Sequence, residues 1–291
     1  MRNYIIILCF LSVSFSQVFS HYDYTGSRAT SMSGAVTSGP GSLDNIFHNP
    51  AQLTDLNGLN LVSGYSQIFN LSFLPYYNFG LSYNCYAINF EKLSTEINGN
   101  ELSSESVLGI AKGFNIYQDR QSKLQAGFRF NLYQYDLGQS SGSEGDGSNG
   151  IMLGSDNGYG LDFGFQGSLN NKYYIAYYLQ NIYSSNIGYG LGSELPASMS
   201  IGLSYRPYKD LLTSFDINQL SGHTDQEVRV GIEYILSDNW ILRTGIQNNP
   251  NRFSVGFEYN LFDFGNISYG LITHHVMPIT HQITFTTSLT K

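Results

Sequence analysis

The sequence predicts an all-β fold: a transmembrane antiparallel β-barrel of about fourteen strands, closed around an N-terminal plug segment. Three observations carry this. Apolar and polar residues alternate with a period of two through most of the chain after Gly58. The polar positions hold Gly, Ser, Asn and Thr rather than the Lys and Glu of a solvated sheet face. Charged residues make up only 12% of the chain, against about 25% in soluble proteins, while Tyr (23), Phe (19) and Gly (31) are abundant.

Met1 to Ser20 read as a signal peptide: Arg2, an apolar run from Tyr4 to Val13, then Ser14-Phe15-Ser16, with cleavage after Ser16 or after Ser20. Cys9 falls inside that run, so Cys85 is the one cysteine of the mature chain, which excludes an internal disulfide and a cysteine metal site. No later stretch approaches the ~18 apolar residues of a spanning helix. Residues 21–57 form the plug. Its centre, Gly26 to Leu53, has no strand period, is rich in small residues and contains Asn49-Pro50-Ala51, read as a helix cap with proline in the first turn.

Residues 58–291 form the barrel, opening at the Asn57-Gly58 turn. The clearest strand lies within Leu195 to Arg206, where Ala197, Met199, Ile201, Leu203 and Tyr205 alternate with Ser198, Ser200, Gly202 and Ser204. The same pattern recurs at Tyr159–Gln166, Val228–Tyr234, Phe253–Asn260 and through Ile283, Phe285, Thr287 and Leu289. Connections sort into short turns (Tyr117–Ser122, Leu169–Lys172, Arg206–Asp210, Ser237–Asn239, Leu261–Asp263) and longer loops (Glu96–Ser104, Leu137–Asn157, Tyr183–Glu194, Leu220–Asp225, Thr273–Ile279). Two short hairpins, near Asn70 and Asn249-Pro250, fall on the loop side, and the breaks between Leu71 and Thr95 stay open. Short turns on one rim and longer loops on the other are the asymmetry of bacterial outer-membrane barrels. On the polar face stands a row of both signs, Arg129, Asp162, Asp216, Arg229, Glu233, Arg243 and Glu258, read as lumen-facing and mutually neutralising.

The plug stretch resembles the opening of the FadL-like outer-membrane barrels, and among them the PorV/PorQ branch. The matching residues are Gly26, Arg28, Ala29, Met32, Gly34, Ala35, Asp44, Asn49, Pro50 and Ala51. GLDFG (Gly160–Gly164), LPASMSIGLSYRP (Leu195–Pro207), EVRVGIEY (Glu227–Tyr234) and THQITF (Thr280–Phe285) look like later strands of the same group. The resemblance implies a plugged fourteen-stranded barrel in the outer membrane of a Gram-negative bacterium. It also implies one of two roles. The first is a component of type IX-like protein secretion, partnered by secreted cargo or other secretion components; the second is a channel for hydrophobic small molecules. The chain departs from the family by ending Leu289-Thr290-Lys291 instead of in an aromatic residue, and by being short, which trims the loops.

Other sites read as structural. His48 is a polar plug contact; His274, His275 and His281 are rim histidines with no acid or thiol near them in sequence; Gly142–Gly150 is a flexible loop without calcium-ligand spacing. No G-x-S-x-G elbow or Ser/His/Asp cluster points to catalysis, and no cofactor or metal is expected. The net charge of -8, with no basic cluster, disfavours nucleic acid. The remaining partner is outer-membrane lipid.

Overall fold

The structure, a computed structural model, describes residues 20, 22–187, 193–261 and 265–289. Met1–Phe19 of the expected signal peptide, with Cys9, and the terminal Thr290-Lys291 lie outside these residues.

Alternating apolar and polar positions produce strands β1 (Leu59–Gln67), β2 (Pro75–Tyr83), β3 (Tyr86–Ile97), β4 (Asn100–Gln118), β5 (Ser122–Asp136), β6 (Ser155–Leu169) and β7 (Tyr173–Ser184). A two-residue pair, β8 (Asn186–Ile187) and β9 (Ser193–Glu194), stands in the following loop. Then come β10 (Ser198–Tyr208), β11 (Leu211–Leu220), β12 (Glu227–Ser237), β13 (Trp240–Gln247), β14 (Arg252–Asn260), β15 (Asn266–Ile272) and β16 (Thr280–Ser288). All but β8 and β9 join one antiparallel sheet, which closes where β1 pairs with β16 in the register Tyr65↔Ile283 and Ser63↔Phe285. Closure leaves no edge strand, and that is the condition for carrying backbone N–H and C=O groups through lipid. The barrel has fourteen strands, as the sequence predicts.

Polarity is inverted relative to a soluble sandwich. Along β10, Ser198, Ser200, Gly202 and Ser204 are buried in the lumen, while Met199, Ile201, Leu203 and Tyr205 stand exposed on the outer wall. Phe215, Ile232, Leu242, Phe253, Val255, Phe257, Ile283 and Phe285 continue that apolar exterior. Tyr83, Tyr86, Tyr117, Tyr173, Tyr205, Tyr208 and Trp240 cluster outside the short-turn rim, where amphipathic rings belong at a membrane–water boundary.

One connection departs from expectation. Glu96–Ser104 is not a long loop: β3 and β4 run through it and turn at Asn98-Gly99, with φ of 52° and 83°. Asn-Gly takes the left-handed pair of angles that a two-residue hairpin needs, so the polar run extends two tall strands instead of breaking them. The open interval between Leu71 and Thr95 resolves into β2 and β3 joined at Asn84-Cys85, with Asn84 at φ 51°.

Val255 sits mid-strand on the outer face of β14. Val255→Arg is expected to destabilise the barrel in lipid by about 2–4 kcal/mol, measured by reversible unfolding in vesicles. A neutral substitution would remove that face from the bilayer.

Candidate functional site

The N-terminal segment lies inside the barrel. A single-turn helix, α1 (Ser27–Ser31), packs against β13 to β16, and a 3-10 turn at Pro50–Asp55 packs against β4, β5 and β6. Lumen glycines make this approach possible. A Cβ on Gly127 would stand 2.4 Å from the Pro50 carbonyl carbon, and one on Gly245 would stand 2.4 Å from that of Met32. The polar wall therefore serves two needs, space and hydrogen bonds. Ser33 bonds Ser254 at 2.8 Å, Ser38 bonds Ser204 at 2.7 Å, and the Gln52 amide donates to Gln166 at 3.1 Å. An apolar patch adds Ile46, Phe47, Leu53 and Leu56 of the plug to Val62, Ala87 and Ala111 of the wall.

Each motif residue of the plug has a physical task. Gly26 enters α1 at φ 91°, a left-handed conformation, and a Cβ there would meet Asp44 at 3.2 Å. Met32 is buried with Ala29 and Val36, and Gly34 (φ 78°) lets the chain turn beneath the Arg229 guanidinium. Asn49 caps its turn through Oδ1, which accepts from Ala51 N–H at 3.0 Å, and its Nδ2 donates to the Thr37 carbonyl at 3.1 Å. Pro50 occupies the first turn and Ala51 is fully buried. The cap matches the sequence expectation.

Arg28 is the latch. Its Nε donates to Glu233 at 3.1 Å and its Nη1 to Asn45 at 3.2 Å. Glu233 faces Arg243 directly across β12 and β13 and accepts from it at 2.8 Å, and Arg243 reaches Glu258 at 2.7 Å. Two arginines and two glutamates thus alternate, with the plug supplying one. Asp44 lies beside this chain and accepts from the Arg28 N–H at 3.3 Å. Burial, with a contribution from Glu258, pushes its carboxyl up to about 6 against the pull of Arg243 and Arg28.

The rest of the charged row divides between wall and plug. Arg129 and Asp162 are opposed on β5 and β6 and paired at 2.9 Å. Asp162 also accepts from Asn131, the Tyr178 hydroxyl and the Asn181 N–H, at 2.8, 3.0 and 2.8 Å. That last donor exists because β7 bulges at Asn181 (φ 52°), turning a backbone N–H into the lumen. Asp216 and Arg229 are opposed on β11 and β12, yet each finds a plug partner. Asp216 accepts from Thr37 N–H at 2.8 Å, and Arg229 reaches Asp23 at 2.6 Å and also Glu227. Most of the row's ion pairs thus join wall to wall, and Arg28–Glu233 and Asp23–Arg229 add the plug as a second source of charge, where the sequence pattern implied wall alone.

On the loop side of this plug a cavity of about 110 Å³ remains, bounded by Tyr22, Phe47, Tyr76, Glu91, Glu105, Arg129, Tyr133, Tyr178, Asn181 and Arg229 among others. His48 borders it with its Nε2 2.9 Å from the Thr25 carbonyl oxygen, and burial lowers its pKa to about 4. Sequence reasoning missed Asp23, Glu91 and Glu105. Glu91 falls in the stretch where strand breaks were open, so its face could not be assigned, and Glu105 directly follows the presumed loop Glu96–Ser104, where the strand period had not yet set its face. The rim histidines are apart from this cavity: His281 bonds the Tyr269 hydroxyl at 2.6 Å and His274 bonds Thr280 at 2.7 Å. Among the described residues no group of three His, Cys, Asp or Glu is placed to hold a metal ion.

No protein-family model matches this chain, and no curated protein matches it in sequence. Solved structures do match it. The CymD monoaromatic hydrocarbon channel is 15% identical over 92% of this chain and 98% of its own, with a TM-score of 0.65. The toluene transporter TbuX of Ralstonia pickettii is 13% identical, covering 91% and 98%, with a TM-score of 0.63. The toluene transporter TodX of Pseudomonas putida is 13% identical, covering 93% and 98%, with a TM-score of 0.60. At these identities the likeness shows the fold, that of the FadL-like outer-membrane barrels.

Two substitutions test the latch. Arg243→Glu places a third acid beside Glu233 and Glu258 and is expected to cost about 3–5 kcal/mol, read from unfolding in detergent. A neutral effect would mean that the row is solvated. Asp44→Asn tests the sign of the carboxyl shift. A carboxyl raised to about 6 in the folded chain from its ordinary 3.8 penalises folding above pH 6 and not below 4. The Asn variant should therefore outlast the parent on heating at pH 8, with the gain fading toward pH 4. An equal gain at both pH values would contradict the assignment.

Proposed function

We propose that this protein is an outer-membrane channel for small, largely hydrophobic molecules, with the N-terminal segment as its gate. The observation that carries this reading is the seating of the plug. It is held by hydrogen bonds and a four-membered ionic chain, not by a continuous apolar core, and it leaves a cavity on its loop side. A polar seat is closed at rest and exchangeable for water when the plug shifts. The barrels of similar fold are described as hydrocarbon channels and toluene transporters, which favours passage of small molecules over the secretion role that the sequence resemblance places first.

A second reading stays with protein export. It rests on the run from Gly26 to Ala51 and its resemblance to the PorV/PorQ branch, and it needs partner proteins, not a passage. In a deletion strain it expects a set of exported proteins to remain in the cell; an unchanged secretome removes it.

The channel reading predicts that Arg28→Ala loosens the plug. Its conductance in planar bilayers should rise several-fold over the parent, because Glu233 and Glu258 are then left to share Arg243 alone and the surplus negative charge draws water into the seat. An unaltered conductance, with the barrel still folded, would mean that Arg28 does not hold the gate.

A further inference from the structure

Charge around the cavity is unevenly matched. Its two arginines are already neutralised, Arg129 by Asp162 at 2.9 Å and Arg229 by Asp23 at 2.6 Å and by Glu227. Two carboxylates on its wall, Glu91 and Glu105, form no ion pair among the described residues. Glu91 is bonded by neutral groups alone: Thr25 Oγ1 at 2.8 Å, the Tyr76 hydroxyl at 2.5 Å and Asn89 Nδ2 at 3.1 Å. Glu105 accepts from the N–H and hydroxyl of Ser20, a residue that cleavage after Ser16 retains, at 2.8 and 3.1 Å.

Aromatic rings stand beside these acids. Tyr22 and Tyr76 pack with centroids 4.8 Å apart, and the Tyr22 hydroxyl is shielded from solvent with no hydrogen-bond partner. A partly buried carboxylate without a counter-ion is costly, and π-faces next to it favour positive charge. A pure hydrocarbon in this cavity would strip water from both acids and give nothing back. An anion would be repelled. A small ammonium would pair with the acids and set its apolar body against the rings.

We propose that the cavity is a binding site for small organic cations, a primary ammonium carried on a short alkyl body. The proposal rests on the channel reading and narrows its substrate class. The cavity's volume of about 110 Å³ falls short of the roughly 150 Å³ that accommodates benzene, so the body is a chain of a few carbons, not a ring.

The test is calorimetry of the purified barrel in detergent against propylammonium, 1-propanol and propionate, each corrected for micelles alone. Propylammonium should bind about tenfold or more tightly than the isosteric alcohol, and propionate not at all. Glu91→Gln should abolish that preference while leaving alcohol binding in place; Glu105→Gln serves the same purpose if the first variant does not fold. Equal binding of ammonium and alcohol, preference for propionate, or binding of none of the three overturns the charge inference and leaves the channel reading intact. Binding of none of the three, with no rise in conductance when the plug is released, overturns both.

Discussion

Everything in this molecule follows from the absence of water in a bilayer core. Backbone polar groups there must pair within the sheet, so the sheet closes, and the outer face must be apolar, so the polar half of every strand turns inward. An inward polar face is itself unstable when dry. Here it is satisfied by the chain's own N-terminal segment, and the ionic alternation Arg28–Glu233–Arg243–Glu258 is the densest point of that contact. Two arginines and two carboxylates, each with side chains at most 15% exposed, hold one another in place. Removing Glu233 or Arg243 strands Arg28 or Glu258, and removing either end leaves an odd charge among the rest, so the network specifies the seat of the plug more than it adds to stability.

The wall was the most legible part of the sequence. Period-two alternation with Ser and Gly in place of Lys and Glu identified both the strands and the face that turns inward, and all seven charged residues of the row do point into the lumen. Pairing was legible only between neighbouring strands. Arg129 with Asp162 and Glu233 with Arg243 are cross-strand opposites. Arg28 with Glu233 spans 205 positions and Arg229 with Asp23 spans 206, and no local pattern announces either. The plug motif was recognisable as a string but not as a set of contacts: Gly26, Gly34 and Asn49 serve backbone geometry that only the folded lumen imposes. Asn98-Gly99 shows the converse failure, a two-residue turn signal overlooked because polar neighbours resembled a loop.

The distribution of charge also separates the plug seam from the cavity. Below, toward the turn rim, cations and anions are matched across the plug seam, including Lys123 with Asp55 at 2.5 Å. Above, around Glu91 and Glu105, they are not. A matched seam favours a closed rest position, and an unmatched cavity favours an incoming ligand of opposite sign. In the proposed channel, entry on the loop side and release past the plug form one sequence of events, driven by replacement of internal hydrogen bonds with water.

The seating of the plug is the claim on which the rest depends, and one cross-link reads it directly. Ser33 of the plug and Ser254 of β14 bring their hydroxyl oxygens to 2.8 Å. Cysteines at both positions should form a disulfide in isolated membranes under mild oxidation, with loss of both thiols and a closed barrel to conductance. A cross-strand control pair at Ser204 and Ser214, 2.9 Å apart, checks that oxidant reaches the lumen. If the control closes while the thiols at 33 and 254 stay free, the segment is not seated where the structure places it, and the proposed gate is not what closes this barrel.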